Sequence, residues 1–291
     1  MRWWIVGLLA CGCGKRAASE ATPVAQGSAT SPYPSVELPG ECNGIVWDAT
    51  AHALYLTDDT HNQLQRWTDG VGFAGFAALP ASKRPALGGL AELTDGSFVA
   101  ASLGFGDDGA VFQISAKGGA KALDHMDPAR RRLGVASDGA GGWYEAYFVV
   151  TDGKHHGGVA HVGADGVEHE LIGAPLTKPV GLAATATTLY ISDQEAKAVF
   201  AMPLPSGELH PIAQHLGDVD LLTLMPDGDL VTGGAGGTVV RITAAGKVTE
   251  IAAGFAHVRG TAYDPAGKRL FVIDHARASS HRELHIVPLE P

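Results

Sequence analysis

Cysteine is scarce: the chain has three in 291 residues, Cys11, Cys13 and Cys42. That is too few for a disulfide framework, and the spacing is not that of zinc ligands. Positive charge is thin as well. Lys and Arg number 21 against 31 Asp and Glu, a formal charge of -10, and only Arg130-Arg131-Arg132 form a cluster. This balance argues against a nucleic-acid surface, because phosphate binding depends on grouped Lys and Arg. Amphipathic helices are missing too, since no segment of ten or more residues shows a helical period with caps. With 45% hydrophobic and 18% charged residues, neither a disordered chain nor a coiled coil fits. What the sequence has in plenty is Gly, 39 residues without a collagen period, which points to many turns.

Met1-Arg2 followed by the apolar run Trp3 to Ala10 has the order of a secretory signal and is too short to span a bilayer. Leu8-Leu9-Ala10-Cys11 resembles a bacterial lipobox, which implies cleavage before Cys11 and a diacylglycerol on its thiol, with Cys13 as the alternative acceptor. Gly12 rather than Asp after Cys11 favours, by the same resemblance, an outer-membrane lipoprotein facing the periplasm. The expected division is a signal peptide over 1-10, a flexible tether over 11-34 rich in Ala, Ser, Thr and Pro, and a folded domain over 35-291.

The domain repeats. An apolar strand opening near a Gly is followed, after a polar turn, by a strand rich in β-branched and aromatic residues: NGIVWD with ALYLTD, GGLAEL with SFVAAS, LGVASD with YFVVTD, VGLAAT with TLYISD, DLLTLM with DLVTGG, and RGTAYD with RLFVID. The opening positions Gly44, Gly89, Gly134, Gly181, Leu221 and Gly260 are spaced by 45, 45, 47, 40 and 39. Each unit adds a third alternating strand, and the first five add a fourth after Gly-containing turns. The sixth unit lacks its fourth strand, which the segment Ser35 to Leu38 can supply. The expected fold is therefore all-β, a six-bladed β-propeller closed by an N-terminal strand.

In such a blade the loop before the innermost strand and the loop after the second strand share one face. Candidate binding residues there are Asn43, Arg132, Asp220, Arg259 and His275, with His155-His156 in a Gly-flanked loop. Asp58, Asp152, Asp193 and Asp274, recurring at the end of the second strand, fit turn-stabilising carboxylates. Asp220 with Arg259 fits either an ion pair lining the channel or a ligand contact, and Arg132 fits either a solvated turn or an anion contact at the channel mouth. Cys42 reads as a small buried apolar residue or a reactive thiol. His275 beside Asp274 has the makings of a general-base pair, but no nucleophile stands at a recognisable spacing.

Trp47-Asp48 with Leu54 to Asp58, and Val180-Gly181-Leu182 with Leu189 to Asp193, resemble the senescence-marker-protein, gluconolactonase and luciferin-regenerating-enzyme superfamily of six-bladed propellers over roughly residues 36 to 291. These blade motifs are shared with NHL-repeat and strictosidine-synthase-like propellers. The resemblance implies a divalent cation at the channel mouth, held by a Glu, an Asn and an Asp entering blades one, four and five, the Asp also serving lactone hydrolysis. Carried over by position, these become Asn43, Val180 and Asp220, with Glu41 two residues from the first. Valine offers no ligand atom, and Ca2+ wants six to eight oxygens. The expectation is a lipid-anchored envelope propeller that binds a small molecule, glycan or protein partner and requires no cofactor. The alternatives are a lactonase-like ester hydrolase using Asp220 with Ca2+ or Zn2+ at Asn43, Asp220 and Glu41, and a protein-assembly scaffold.

Overall fold

The structure is a computed structural model and describes residues 31-276 and 280-289. The signal segment, Cys11, Cys13 and most of the tether lie outside the described residues. Six four-stranded antiparallel sheets make up the fold. Blade one runs Cys42–Asp48, Ala53–Asp58, Gln63–Thr68 and Gly72–Ala78, innermost strand first. The strand Ser35–Glu37 joins the last blade beside Arg282–Pro288, pairing Ser35 with His285, Val36 with Leu284 and Glu37 with Glu283. Leu38 N–H donating to Arg282 O at 3.0 Å extends the same ladder. The ring thus has no free seam between its two ends, as the repeat count implies.

The opening glycines are dictated by crowding at the axis. A Cβ on Gly44 would stand 2.4 Å from Gly88 O, and one on Gly260 would stand 2.4 Å from Asn43 O. Any side chain there would push neighbouring blades apart. Away from the axis, aromatic and branched residues seal blade to blade. Tyr55, Phe76 and Phe98 pack together between blades one and two, and Trp47 and Trp67 both pack on Phe271 across the closure. Cys42 is fully buried in the latter cluster, and burial pushes its thiol well above the usual range, so it is a packing residue and not a nucleophile.

Blade three departs from the expected register. Its second strand is Trp143–Thr151, which pairs with Lys154–Val162 along a nine-residue hairpin, and not a strand beginning at Tyr147. Asp152 therefore sits at the exposed hairpin tip with φ 52°, outside the set of turn carboxylates. Asp58, Asp193 and Asp274 keep that role. Asp193 accepts from the backbone N–H groups of Thr177, Lys178, Glu195 and Ala196, and Asp274 from those of Ala256 and His257.

Candidate binding basin at the channel mouth

The axial channel narrows at a waist lined by Ile45, Leu90, Val135, Leu182 and Leu222, whose free space is about 20 Å³. Above it, on the face where the loops converge, a basin of about 530 Å³ opens. Asn43, Asp220 and Arg259 line it as expected, and so does Glu41. Asp220 Oδ2 lies 3.8 Å from Arg259 Nη1 and 3.7 Å from His257 Nε2, so its carboxylate faces two nitrogen groups. Glu41 Oε1 turns to Arg282 Nη2 at 3.1 Å.

Arg132 is not in the basin. It is fully buried inside blade three, where its Nε donates to the equally buried Glu145 at 2.7 Å and its Nη1 to Asp127 O at 2.8 Å. Burial pushes the Glu145 carboxyl up, against the pull of the guanidinium. The strand alternation that turns Arg132 inward turns its neighbour Arg131 to the basin. His275 is also misplaced as a ligand contact: it is 4% exposed and outside the basin lining, 3.9 Å from Glu41 Oε1. Burial first, then nearby Arg259, lowers its imidazole to about 4, so near neutrality it is uncharged and buried.

Two basin cations, Arg131 and Lys178, are not marked out by the sequence, while His155 and Asp59 come from exit loops that it does place on this face. Arg131 and Lys178 both stand near the Phe148 ring, the guanidinium carbon 5.9 Å and the ammonium 5.6 Å from its centroid. Lys178 Nζ donates to Gln194 Oε1 at 2.7 Å, and neither cation pairs with a carboxylate among the described residues. His155 packs edge-on against Phe148 and pairs with Glu195. Asp59, one residue beyond the turn carboxylate Asp58, accepts from Leu87 N–H at 2.5 Å and from Asn43 Nδ2 at 3.2 Å. Burial outweighs these hydrogen bonds and raises its carboxyl to about 7.

No family profile and no curated protein matches the chain. Solved structures do. The calcium-binding protein regucalcin from Agrobacterium tumefaciens superposes with a TM-score of 0.69 at 18% identity, over 89% of this chain and 97% of that one. A luciferin-regenerating enzyme gives 0.68 at 16%, over 88% and 95%. A gluconolactonase from Xanthomonas campestris gives 0.68 at 17%, over 89% of each chain. The chain has the gluconolactonase-type propeller fold. At these identities the likeness carries the architecture, and the chemistry has to come from the residues.

The gluconolactonase-type cation does not fit the residues at this mouth. Val180, at the position of the implied Asn ligand, is 2% exposed and apolar. Asn43, at the position of the Glu, donates its amide N–H to Leu87 O at 2.9 Å and to Asp59. The one retained carboxylate, Asp220, is already faced by a guanidinium. A hard dication needs several charged oxygens converging on one point, and of the three carried-over positions only Asp220 offers one, with a guanidinium 3.8 Å from it.

Proposed function

We propose that this chain is an exported, lipid-anchored envelope propeller whose upper basin binds a small molecule bearing a carboxylate or comparable anion, without divalent-metal catalysis. The observation that carries the reading is the pair of half-buried cations, Arg131 and Lys178, standing beside Phe148 with no carboxylate partner among the described residues. A half-buried cation is underused unless an anion meets it, and an aromatic ring beside two cations suits a ligand that pairs an anionic group with an apolar body. The waist below limits the ligand to the basin. Calorimetric titration of small carboxylates and sugar-acid lactones into the protein tests this. Saturable one-to-one binding unaffected by chelator is expected; metal-dependent lactone turnover that is lost on Asp220→Ala would overturn it.

A pH series gives a further check. Above about pH 7 the Asp59 carboxyl ionises and adds a negative charge to the basin, so anion affinity is expected to fall as pH rises through that value and to hold steady below it. Asp59→Asn should flatten the profile; an unchanged slope in this variant assigns the effect to another group.

A second reading rests on the same carboxyl. A group poised near 7 inside a basin suits general acid-base work, and a metal-free ester or lactone hydrolase would use Asp59 beside Asn43. A rate that tracks one ionisation near pH 7 and vanishes in Asp59→Asn would favour it. The scaffold reading gains no apolar rim: the exposed large apolar residues described, Val71, Val150, Val167 and Val248, are scattered over three blades.

The anchoring part of the proposal rests on Leu8-Leu9-Ala10-Cys11 and the polar tether behind it. Among the described residues no helix is long and apolar enough to cross a membrane. Cys11→Ser is expected to move the protein from the membrane fraction to the soluble one, and retention of the variant in the membrane fraction would count against lipidation.

A further inference from the structure

Blades one and six carry the same arrangement built from different side chains. In blade one Asp58 lies opposite Gln63, with His61 and Gln65 two residues to either side. Asp58 Oδ2 there accepts from Gln65 Nε2 at 2.8 Å and meets His61 Nδ1 at 2.7 Å, a closed set of hydrogen bonds. In blade six Asp274 lies opposite Glu283, with His281 and His285 at the matching positions. Both glutamines have been exchanged, one for a carboxylate and one for an imidazole.

The exchange leaves a different kind of cluster. Asp274 Oδ1 is taken by the backbone N–H groups of Ala256 and His257, at 3.0 and 2.8 Å. Its Oδ2 shares the Ala256 N–H, at 3.0 Å, and faces His281 Nε2, 2.9 Å away, and His285 Nε2, 3.5 Å away. Glu283 Oε2 lies 3.3 Å from the same His285 nitrogen. His285 is 2% exposed, and neither of its ring nitrogens makes a well-formed hydrogen bond. One ligand atom each from Asp274, His281 and His285 falls within a sphere of 4.8 Å mutual separation. Glu283 is also directly opposite Glu37 of the closing strand, so three carboxylates stand in a row across adjacent strands.

We propose that Asp274, His281, His285 and Glu283 form a zinc site that clamps the closing blade of the propeller. Tetrahedral zinc with bonds of 2.0 to 2.1 Å sets its ligand atoms about 3.3 Å apart, which the Asp274–His285 and His285–Glu283 separations already approach. Two imidazoles select zinc over calcium, which prefers oxygen alone. Each imidazole binds through Nε2 and keeps its proton on Nδ1, and the dication offsets the row of carboxylates. Asp274, His281 and His285 already converge, and Glu283, 3.3 Å from His285 Nε2 but outside that convergent set, closes the shell by turning its carboxylate inward, which gives the four protein ligands of a structural metal. None of the four lines the basin, so the site stands independently of the binding function proposed for the channel mouth.

Metal analysis of the whole purified chain after equilibration with micromolar Zn2+ tests the site, together with the visible absorption of the Co2+-substituted protein. About one zinc per chain is expected in the wild type and in Asp220→Ala, with the intense visible bands of tetrahedral cobalt. His285→Gln, which restores the blade-one side chain, should retain less than about a tenth of that zinc and lose the bands. Zinc should raise the wild-type Tm by roughly 5 °C and leave that of His285→Gln where it is. His281→Ala, at a partly exposed position, gives the same readout should His285→Gln fold poorly. A wild type that binds no stoichiometric zinc, or full zinc retention in both His variants, would overturn the proposal.

Discussion

Arg132→Ala is expected to destabilise the protein by about 3 to 5 kcal/mol, while Arg131→Ala, one residue away, should leave the melt nearly unmoved. The contrast follows from strand alternation. Arg132 and Glu145 are both fully buried and share a 2.7 Å hydrogen bond, so removing the guanidinium strands a carboxylate in the interior of blade three. Truncation also opens a cavity where one of the largest fully buried side chains had been. The orphaned Glu145 can relieve the strain only by taking a proton, so the loss should shrink as pH falls. A second exchange, Glu145→Gln, should recover part of the stability by removing the charge. Thermal and urea melts of the single and double variants check this, and a wild-type melt for Arg132→Ala would show that the ion pair is not buried as described.

Arg131→Ala and Lys178→Ala should instead act on binding, each weakening a carboxylate ligand by about tenfold or more and the pair together more strongly. Both cations are half-buried beside Phe148, where screening by water is reduced, and an anion there gains more than it would at an exposed lysine. Affinity should also fall with added salt in the wild type and less so in the double variant. Arg131→Lys should recover only part of the loss, since an ammonium cannot grip a carboxylate in the two-pronged way a guanidinium does. Unchanged affinity in the double variant would remove the basis for the anion reading.

Much of the architecture is legible in the sequence because a propeller is repetitive and its rules are local. Six strand pairs, five of them led by glycine and the fifth in order by Leu221, their spacing and the missing last strand give the blade count and the closure through Ser35–Glu37. The register failed only in blade three, where YFVVTD looks like the second strand of the other units. The nine-residue strand Trp143–Thr151 overruns that pattern, and a repeat template of fixed length hides the overrun. The repeat pattern points to Arg132 over Arg131 at the channel mouth for a related reason. Which of two neighbouring strand residues faces the axis is a matter of parity, and a bulge between Arg132 and Val135 shifts it.

The basin was less legible than the frame. Lys178 and His257 come from loop and strand ends whose convergence depends on the ring closing, and the raised Asp59 carboxyl depends on burial that no local motif announces. The blade-six cluster had a local signal, His285 within the last strand and His281 just before it, four residues apart, yet its meaning emerges only when Asp274 is seen across the hairpin. Asp220 was legible as a residue and misleading as a role: its place in the repeat matches the implied metal ligand, while Arg259 and His257 supply its partners.

The most direct test of the central claim is calorimetry of a small-carboxylate panel against the whole chain in chelator, comparing wild type with the Arg131→Ala/Lys178→Ala variant. One-to-one binding without added metal is expected, weakening by about a hundredfold in the variant. Binding that needs Ca2+, is lost on Asp220→Ala and is indifferent to Arg131 and Lys178 would contradict it.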